Sequence, residues 1–307
     1  MHPRSVLDAI GNTPLVQLRR IPPPGAARIF IKLEYYNPTG SYKDRMALSV
    51  IQGAERRGTL QPGMRVVEYT GGSTGSSLAM VCAARGYCFT PVSSDAFARE
   101  KILTMRAFGA DPIIVPSDQG RITPALFDAM KAEIARQAAQ PDAFYADQFN
   151  NDDVMTGYEA IGLELLAELG PDITAFCAGI GTAGMFVGVS RRLRAATSAR
   201  LVALEPAGSP TLSTGVGGPH RVEGIGVGFW PPHLHHGDYD EIRTVEEAEA
   251  RGMARRLARE EGILAGTSTG LNVAAAIQLA GELGDQATVV TVACDSGLKY
   301  LSGDLYQ

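Results

Sequence analysis

Residues 173–205 read ITAFCAGIGTAGMFVGVSRRLRAATSARLVALE, and their order sets the fold class. An apolar, β-prone run at 173–177 gives way to glycines at Gly179, Gly181 and Gly184. A helix-length segment follows, and a second apolar run at 201–204 closes the unit. Strand, glycine turn, helix and strand make a βαβ unit, with its two strands parallel in one sheet. The alternation continues on both sides. Strands are expected at 28–33, 64–68, 88–92, 113–115 and 288–292, and helices at 43–57, 74–84, 97–108 and 123–138. Met46, Val50 and Ile51 share one face of the first of these helices, and Ile102, Met105 and Phe108 recur at helical spacing in the third. The pattern predicts an α/β protein with parallel-rich sheets covered by helices. Polar segments at 37–41 and 148–153 suggest a discontinuous large domain, 1–46 plus 155–307, around a smaller domain, 47–154. The stretch 207–237, rich in Gly, Pro, Ser and His, is expected to be irregular; such long irregular stretches are usually functional or disordered.

Composition narrows the function classes. The chain has 307 residues, 28 basic against 33 acidic, and a formal net charge of −5, which argues against a nucleic-acid or anionic-membrane partner. Its 45% apolar and 20% charged residues are ordinary globular usage and exclude a disordered or collagen-like chain. No apolar run reaches the roughly 18 residues a membrane span needs, and the opening MHPRSVLDAIG lacks a signal-peptide core. Cys82, Cys88, Cys177 and Cys294 form no C-x-x-C pair and sit in or beside apolar runs, so buried free thiols and a reducing cytoplasm are expected. Of the five histidines (His2, His220, His233, His235 and His236), four fall in one Pro/Gly-rich stretch, read as a solvated loop rather than a metal site.

Three segments carry chemistry. Thr70-Gly71-Gly72-Ser73-Thr74-Gly75 lies between a strand and a helix, where unpaired backbone N–H groups and the helix dipole suit an anion. Gly179-Ile180-Gly181-Thr182-Ala183-Gly184 matches G-x-G-x-x-G, with Glu205 about 20 residues on as a ribose acceptor, so an NAD(P)-dependent oxidoreductase is a competing reading. Asn37-Pro38-Thr39-Gly40-Ser41-Tyr42-Lys43-Asp44-Arg45 puts a lysine after a turn at a helix start, where the dipole should lower its pKa; Schiff-base chemistry is open to it, although a plain surface lysine is the commoner outcome for such a residue. Lys32, Lys101, Lys131 and Lys299 read as solvated or snorkelling side chains.

Taken in order, these segments resemble the cysteine synthase / cystathionine β-synthase family of pyridoxal 5′-phosphate (PLP) enzymes, similar to O-acetylserine sulfhydrylases. The resemblance runs from 10–16 (IGNTPLV) through Lys32-Leu33-Glu34, Lys43-Asp44-Arg45, 70–75, Gln148-Phe149 and 181–185. It continues through Glu205-Pro206, 224–229 (GIGVGF), 262–270 (GILAGTSTG) and Asp295-Ser296-Gly297 with 299–302 (KYLS). It implies the two-domain fold type II, tryptophan synthase β-like, and a homodimer. Lys43 is then the catalytic lysine that carries PLP. Gly181, Thr182, Ala183, Gly184 and Met185 cup the phosphate, Ser268 meets the pyridine nitrogen, and Ser73 lies beside the 3′ oxygen. Thr70, Gly71, Thr74 and Gln148 take the substrate carboxylate. The implied reaction is β-replacement: O-acetyl-L-serine and sulfide give L-cysteine and acetate through an α-aminoacrylate intermediate. Homocysteine, thiosulfate or an amine are alternative nucleophiles, and O-phosphoserine is an alternative substrate for which Arg221 is the candidate cation. The chain departs from the family pattern where Gly71 replaces Ser, Ser73 replaces Asn, Ala183 replaces Gly and Met185 replaces Thr. A binding protein of this fold without catalysis is the remaining reading.

Overall fold

Strands buried on both faces organise the molecule. The structure, a computed structural model, describes residues 5–120 and 123–307; His2 lies outside them. In chain order the elements are β1 (Leu15–Gln17), β2 (Arg28–Leu33), α1 (Lys43–Arg57), β3 (Arg65–Tyr69), α2 (Ser73–Arg85), β4 (Cys88–Ser94), α3 (Arg99–Ala107), β5 (Ile113–Val115), α4 (Pro124–Ala138) and β6 (Ala143–Tyr145). They continue as α5 (Asp153–Leu169), β7 (Ala175–Gly179), α6 (Gly184–Ala196), β8 (Arg200–Pro206), α7 (Thr211–Thr214), β9 (Glu241–Val245), α8 (Glu247–Arg256), α9 (Thr267–Leu283) and β10 (Thr288–Ala293).

The chain divides into two compact units, residues 5–10 with Asn37–Gly157, and Gly11–Tyr36 with Tyr158–Gln307. The junctions fall at 10/11, 36/37 and 157/158, where the sequence pattern predicts 46/47 and 154/155, so residues 5–10 and Lys43 belong to the first unit. That unit holds a four-stranded parallel sheet in the order β5-β4-β3-β6. The second holds a six-stranded sheet, β1-β2-β10-β7-β8-β9, parallel except for the antiparallel pair β1–β2. The expected mixed α/β class with parallel-rich sheets is the observed one.

β7 (AFCAG) and β10 (TVVTVA) are buried at every position, as strands covered on both faces should be. Their side chains, with Ile29, Ile31, Val202, Leu204, Leu271 and Leu279, make the core of the second unit. In the first unit α1 buries Met46, Ala47, Val50, Ile51 and Ala54 along one stripe. It ends at Gly58, whose φ of 71° and N–H to the Ala54 and Glu55 carbonyls make a left-handed cap. β1, β6 and β9 were not expected. β1 and β6 have only three residues each, and β9 (EIRTV) is a charged, mostly half-buried edge strand.

Four expectations about burial need correction. Lys32 is 1% exposed and lies against Glu164 and Glu168, each at 3.0 Å, while donating to the Thr13 carbonyl. Lys101 is also buried. The sequence pattern predicts both as solvated or snorkelling side chains. Conversely, Cys88 is exposed, at the first position of β4, whereas Cys82, Cys177 and Cys294 are buried. His233, assigned to a solvated loop, is buried.

Close helix packing supplies a stability test. A Cβ on Gly270 of α9 would sit 2.0 Å from the Ala250 carbonyl oxygen of α8, a backbone atom that cannot step aside alone. Gly270→Ala is therefore expected to destabilise the fold by about 1–3 kcal/mol. Equilibrium urea unfolding checks this; an unchanged midpoint would contradict the close approach.

Candidate active site

Each parallel sheet turns into helices at the carboxyl ends of its strands, the place where α/β folds bind ligands. In the first unit the segment before α1 is braced by its own side chains. The Thr39 N–H and hydroxyl both donate to Asp44, and the Lys43 N–H donates to the Ser41 hydroxyl oxygen at 3.2 Å. Lys43 is the first residue of α1 and is buried, its Nζ 4.8 Å from the centre of the Tyr42 ring.

The Thr70–Gly75 loop connects β3 to α2. The Thr70 hydroxyl oxygen accepts the N–H groups of Gly72 and Gly75, at 3.0 and 3.2 Å, and folds the loop back on itself. Gly72 has a φ of 154°, and α2 starts without a side-chain cap. Gly71 lies under the Phe97 ring, 2.8 Å from where its Cβ would be, and the Lys101 stem crosses Gly72 at 2.1 Å from its Cβ position. Neither Phe97 nor Lys101 was foreseen. Ser73 and Thr74 open α2, and the Thr74 hydroxyl donates to Gln148 Oε1 at 2.8 Å. Gln148 Nε2 donates to the Tyr69 carbonyl at 3.2 Å. So Thr70, Gly71, Ser73, Thr74 and Gln148 come together in one unit.

Beneath them lies a residue the sequence reading passed over. Glu68 is fully buried; its carboxylate accepts the Tyr69 N–H at 2.9 Å and the Gln148 N–H at 3.0 Å. Burial pushes its carboxyl up to about 8, and nearby Asp147 adds to the rise. The two N–H groups and the charge of Lys43 oppose it.

In the second unit the β7–α6 turn carries Gly181, Thr182, Ala183, Gly184 and Met185. Ala183 occupies the N-cap of α6 in the left-handed region, φ 67°, and provides no side-chain cap. A Cβ on Gly181 would lie 2.4 Å from the Gly224 carbonyl oxygen. The Gly226 N–H donates to the Ile180 carbonyl, so the 224–228 glycine loop is tied to this turn. His220 holds that loop in turn: Nδ1 accepts the Val222 N–H, which leaves Nε2 to donate to the Gly226 carbonyl at 2.9 Å. Asn272 accepts the Gly179 N–H at 2.7 Å and donates to the Val292 carbonyl, joining the ends of β7 and β10. Ser268, the second residue of α9, is buried, and its hydroxyl makes no hydrogen bond among the described residues.

Glu205 does not serve as a ribose acceptor. It is 1% exposed, and its carboxylate already accepts the Leu212 N–H at 2.6 Å and the Ser213 N–H at 2.9 Å, with the Ser213 hydroxyl also donating. The dinucleotide reading loses the residue that distinguished it. Arg221, the candidate cation for a phosphorylated substrate, is 74% exposed and pairs with Asp304 at 3.3 Å.

The family model described as pyridoxal-phosphate dependent enzyme matches residues 6–295. This chain belongs to that family. It is 42% identical to a cysteine synthase of Staphylococcus aureus (strain N315) over 98% of this chain and 96% of that protein. Its fold is similar to that of an O-ureido-L-serine synthase (TM-score 0.92, 37% identity, 98% of this chain and 94% of the other). It is equally similar to a cysteine synthase from Entamoeba histolytica (TM-score 0.92, 31% identity, 100% and 91%). The protein is a PLP-dependent enzyme. The residues present fit the group: an uncapped helix start with glycines at backbone contact suits a phosphate, and the Ser268 hydroxyl can meet a ring nitrogen without a carboxylate.

The Glu68 environment gives a pH test. A carboxyl whose folded pKa exceeds its ordinary value of 4.5 binds its proton more tightly in the folded state. Stability is therefore withdrawn as pH rises from that value toward about 8. The melting temperature of Glu68→Gln, relative to wild type, should climb between about pH 5 and about pH 8 and level off above. A constant difference across that range would show an ordinary carboxyl.

Proposed function

We propose that the chain is a cysteine synthase: with PLP it converts O-acetyl-L-serine and sulfide to L-cysteine and acetate. The observation that carries this reading is the 42% identity to a cysteine synthase along 98% of the chain. Bound PLP supplies an electron-accepting ring that stabilises negative charge at the substrate Cα. Lys43 holds the cofactor through its ε-amine, then takes the Cα proton as base and later returns one as acid. The backbone N–H groups of Gly181, Thr182, Ala183, Gly184 and Met185 hold the phosphate, aided by the α6 dipole. Ser268 meets the ring nitrogen as a neutral partner, and Ser73 lies by the 3′ oxygen. Thr70, Gly71, Thr74 and Gln148 bind the substrate carboxylate. The side-chain donors left for it, beside the loop's backbone N–H groups, are the Thr70 O–H and the second N–H of Gln148 Nε2, because the Thr74 proton already goes to Gln148.

The pairing of Arg221 with Asp304 gives no support to O-phosphoserine. We take the enzyme to work as a homodimer in the cytoplasm, where its four free cysteines suit a reducing compartment. No helix among the described residues is long and apolar enough to cross a membrane.

Lys43→Ala is expected to lower L-cysteine formation from O-acetyl-L-serine and sulfide by about 10²–10⁴-fold while the fold stays intact by circular dichroism. Turnover near the wild-type rate would remove the reading, as would activity confined to O-phospho-L-serine. Gly181→Ala, which pushes a methyl into the Gly224 carbonyl, should weaken PLP retention by about tenfold or more, measured by absorbance titration of the cofactor-free protein.

A further inference from the structure

β3 and β6 pair as parallel strands through Val67 and Tyr145, and the Ala146 N–H still donates to the Val67 carbonyl at 3.1 Å. There the ladder stops. Asp147 turns the chain with a left-handed φ of 49°, and the next amide, that of Gln148, has no strand partner. The Glu68 carboxylate takes its place: one oxygen accepts the Gln148 N–H and the other the Tyr69 N–H. A buried side chain thus extends the sheet by one bond and fixes where Gln148 begins. From that point the Gln148 side chain reaches two groups. Tyr69 O is only an acceptor, so it must face Nε2, which turns Oε1 toward the Thr74 hydroxyl.

We propose that Glu68 is a positioning residue for the substrate-carboxylate donors: by clamping the amides of Tyr69 and Gln148 it sets the register and orientation of the Gln148 side chain and, through it, Thr74. This rests on the proposed role of the 70–75 loop and Gln148 in holding the substrate carboxylate. The Glu68 carboxyl bonds the amides of Tyr69 and Gln148 and no side chain of the donor set, so its hydrogen-bonded route to the substrate runs through Gln148. Both loops it joins follow strands of the same sheet, and the clamp makes them move as one.

The test compares Glu68→Gln, Glu68→Leu and Gln148→Ala in PLP-loaded enzyme. Glu68→Gln keeps one acceptor and turns an NH2 toward the other amide; Glu68→Leu removes both acceptors. The expected result is a KM for O-acetyl-L-serine raised about tenfold in Glu68→Gln and further in Glu68→Leu, with kcat within about threefold and the KM for sulfide unchanged. In the cofactor-free protein, amide exchange across 145–150 should also speed up about tenfold or more in both variants. A merely structural role would lower the amount of active enzyme and leave KM alone. Glu68→Gln is isosteric and uncharged at every pH, so it serves where Glu68→Leu does not fold. If Gln148→Ala raises KM and Glu68→Gln does not, the positioning role is wrong while the carboxylate site stands. If Gln148→Ala itself leaves KM unchanged, the carboxylate reading fails and the inference falls with it.

Discussion

Backbone N–H groups at strand-to-helix turns are the resource on which the rest depends. A helix start presents N–H groups with no partner in the helix, and proteins commonly satisfy them with a Ser, Thr or Asp side chain. At α2 and α6 the N-cap residue itself supplies no such bond, although the Thr70 hydroxyl takes the Gly75 N–H in the first turn of α2. The capping position is glycine in one and a left-handed alanine in the other, and both turns follow central strands of parallel sheets. Donors left open at a place where the dipole is positive must be satisfied by water or by an anion. A substrate carboxylate and a cofactor phosphate are two such anions, and one of these two turns lies in each unit.

Open turns need stiff support, which comes from buried or half-buried polar side chains that face backbone. Asn272 joins the ends of β7 and β10 beneath the α6 turn, and His220 ties down the loop that touches Gly181. Glu68 and Thr70 do the same in the other unit. Each satisfies amides that burial would otherwise leave stranded, at a cost of about 1–3 kcal/mol apiece. Glu205 shows the same economy: it caps the short α7 and so has no oxygen left for a ligand.

The sequence made the strands, glycine turns and Lys43 legible because those depend on local pattern. Alternating apolar runs and helical spacing identified β2, β3, β4, β7, β8 and β10, and a Pro/Gly/Ser turn before a helix marked the lysine. The charged residues were less legible. Lys32 and Glu68 sit in strands whose neighbours are apolar, and period alone cannot say whether a charged side chain there meets solvent or a distant partner. Glu164 and Glu168 lie more than 130 residues from Lys32, and Gln148 lies 80 from Glu68. A charged residue inside a run buried on both faces was the available signal, since such a group must be paired or neutralised. The short strands β1 and β6 carry too few residues to show a period at all.

The departure at Gly71 has a steric counterpart. The Phe97 ring fills the space beside that residue, so a side chain there and the ring exclude each other. Lys101, one helical turn further along, lies across Gly72 in the same way. Residue 71 and the start of α3 are therefore one choice rather than two: a hydroxyl on the loop has been exchanged for an aromatic edge and an alkyl stem pressed against bare backbone. That exchange keeps the loop's backbone N–H groups and leaves no hydroxyl at residue 71.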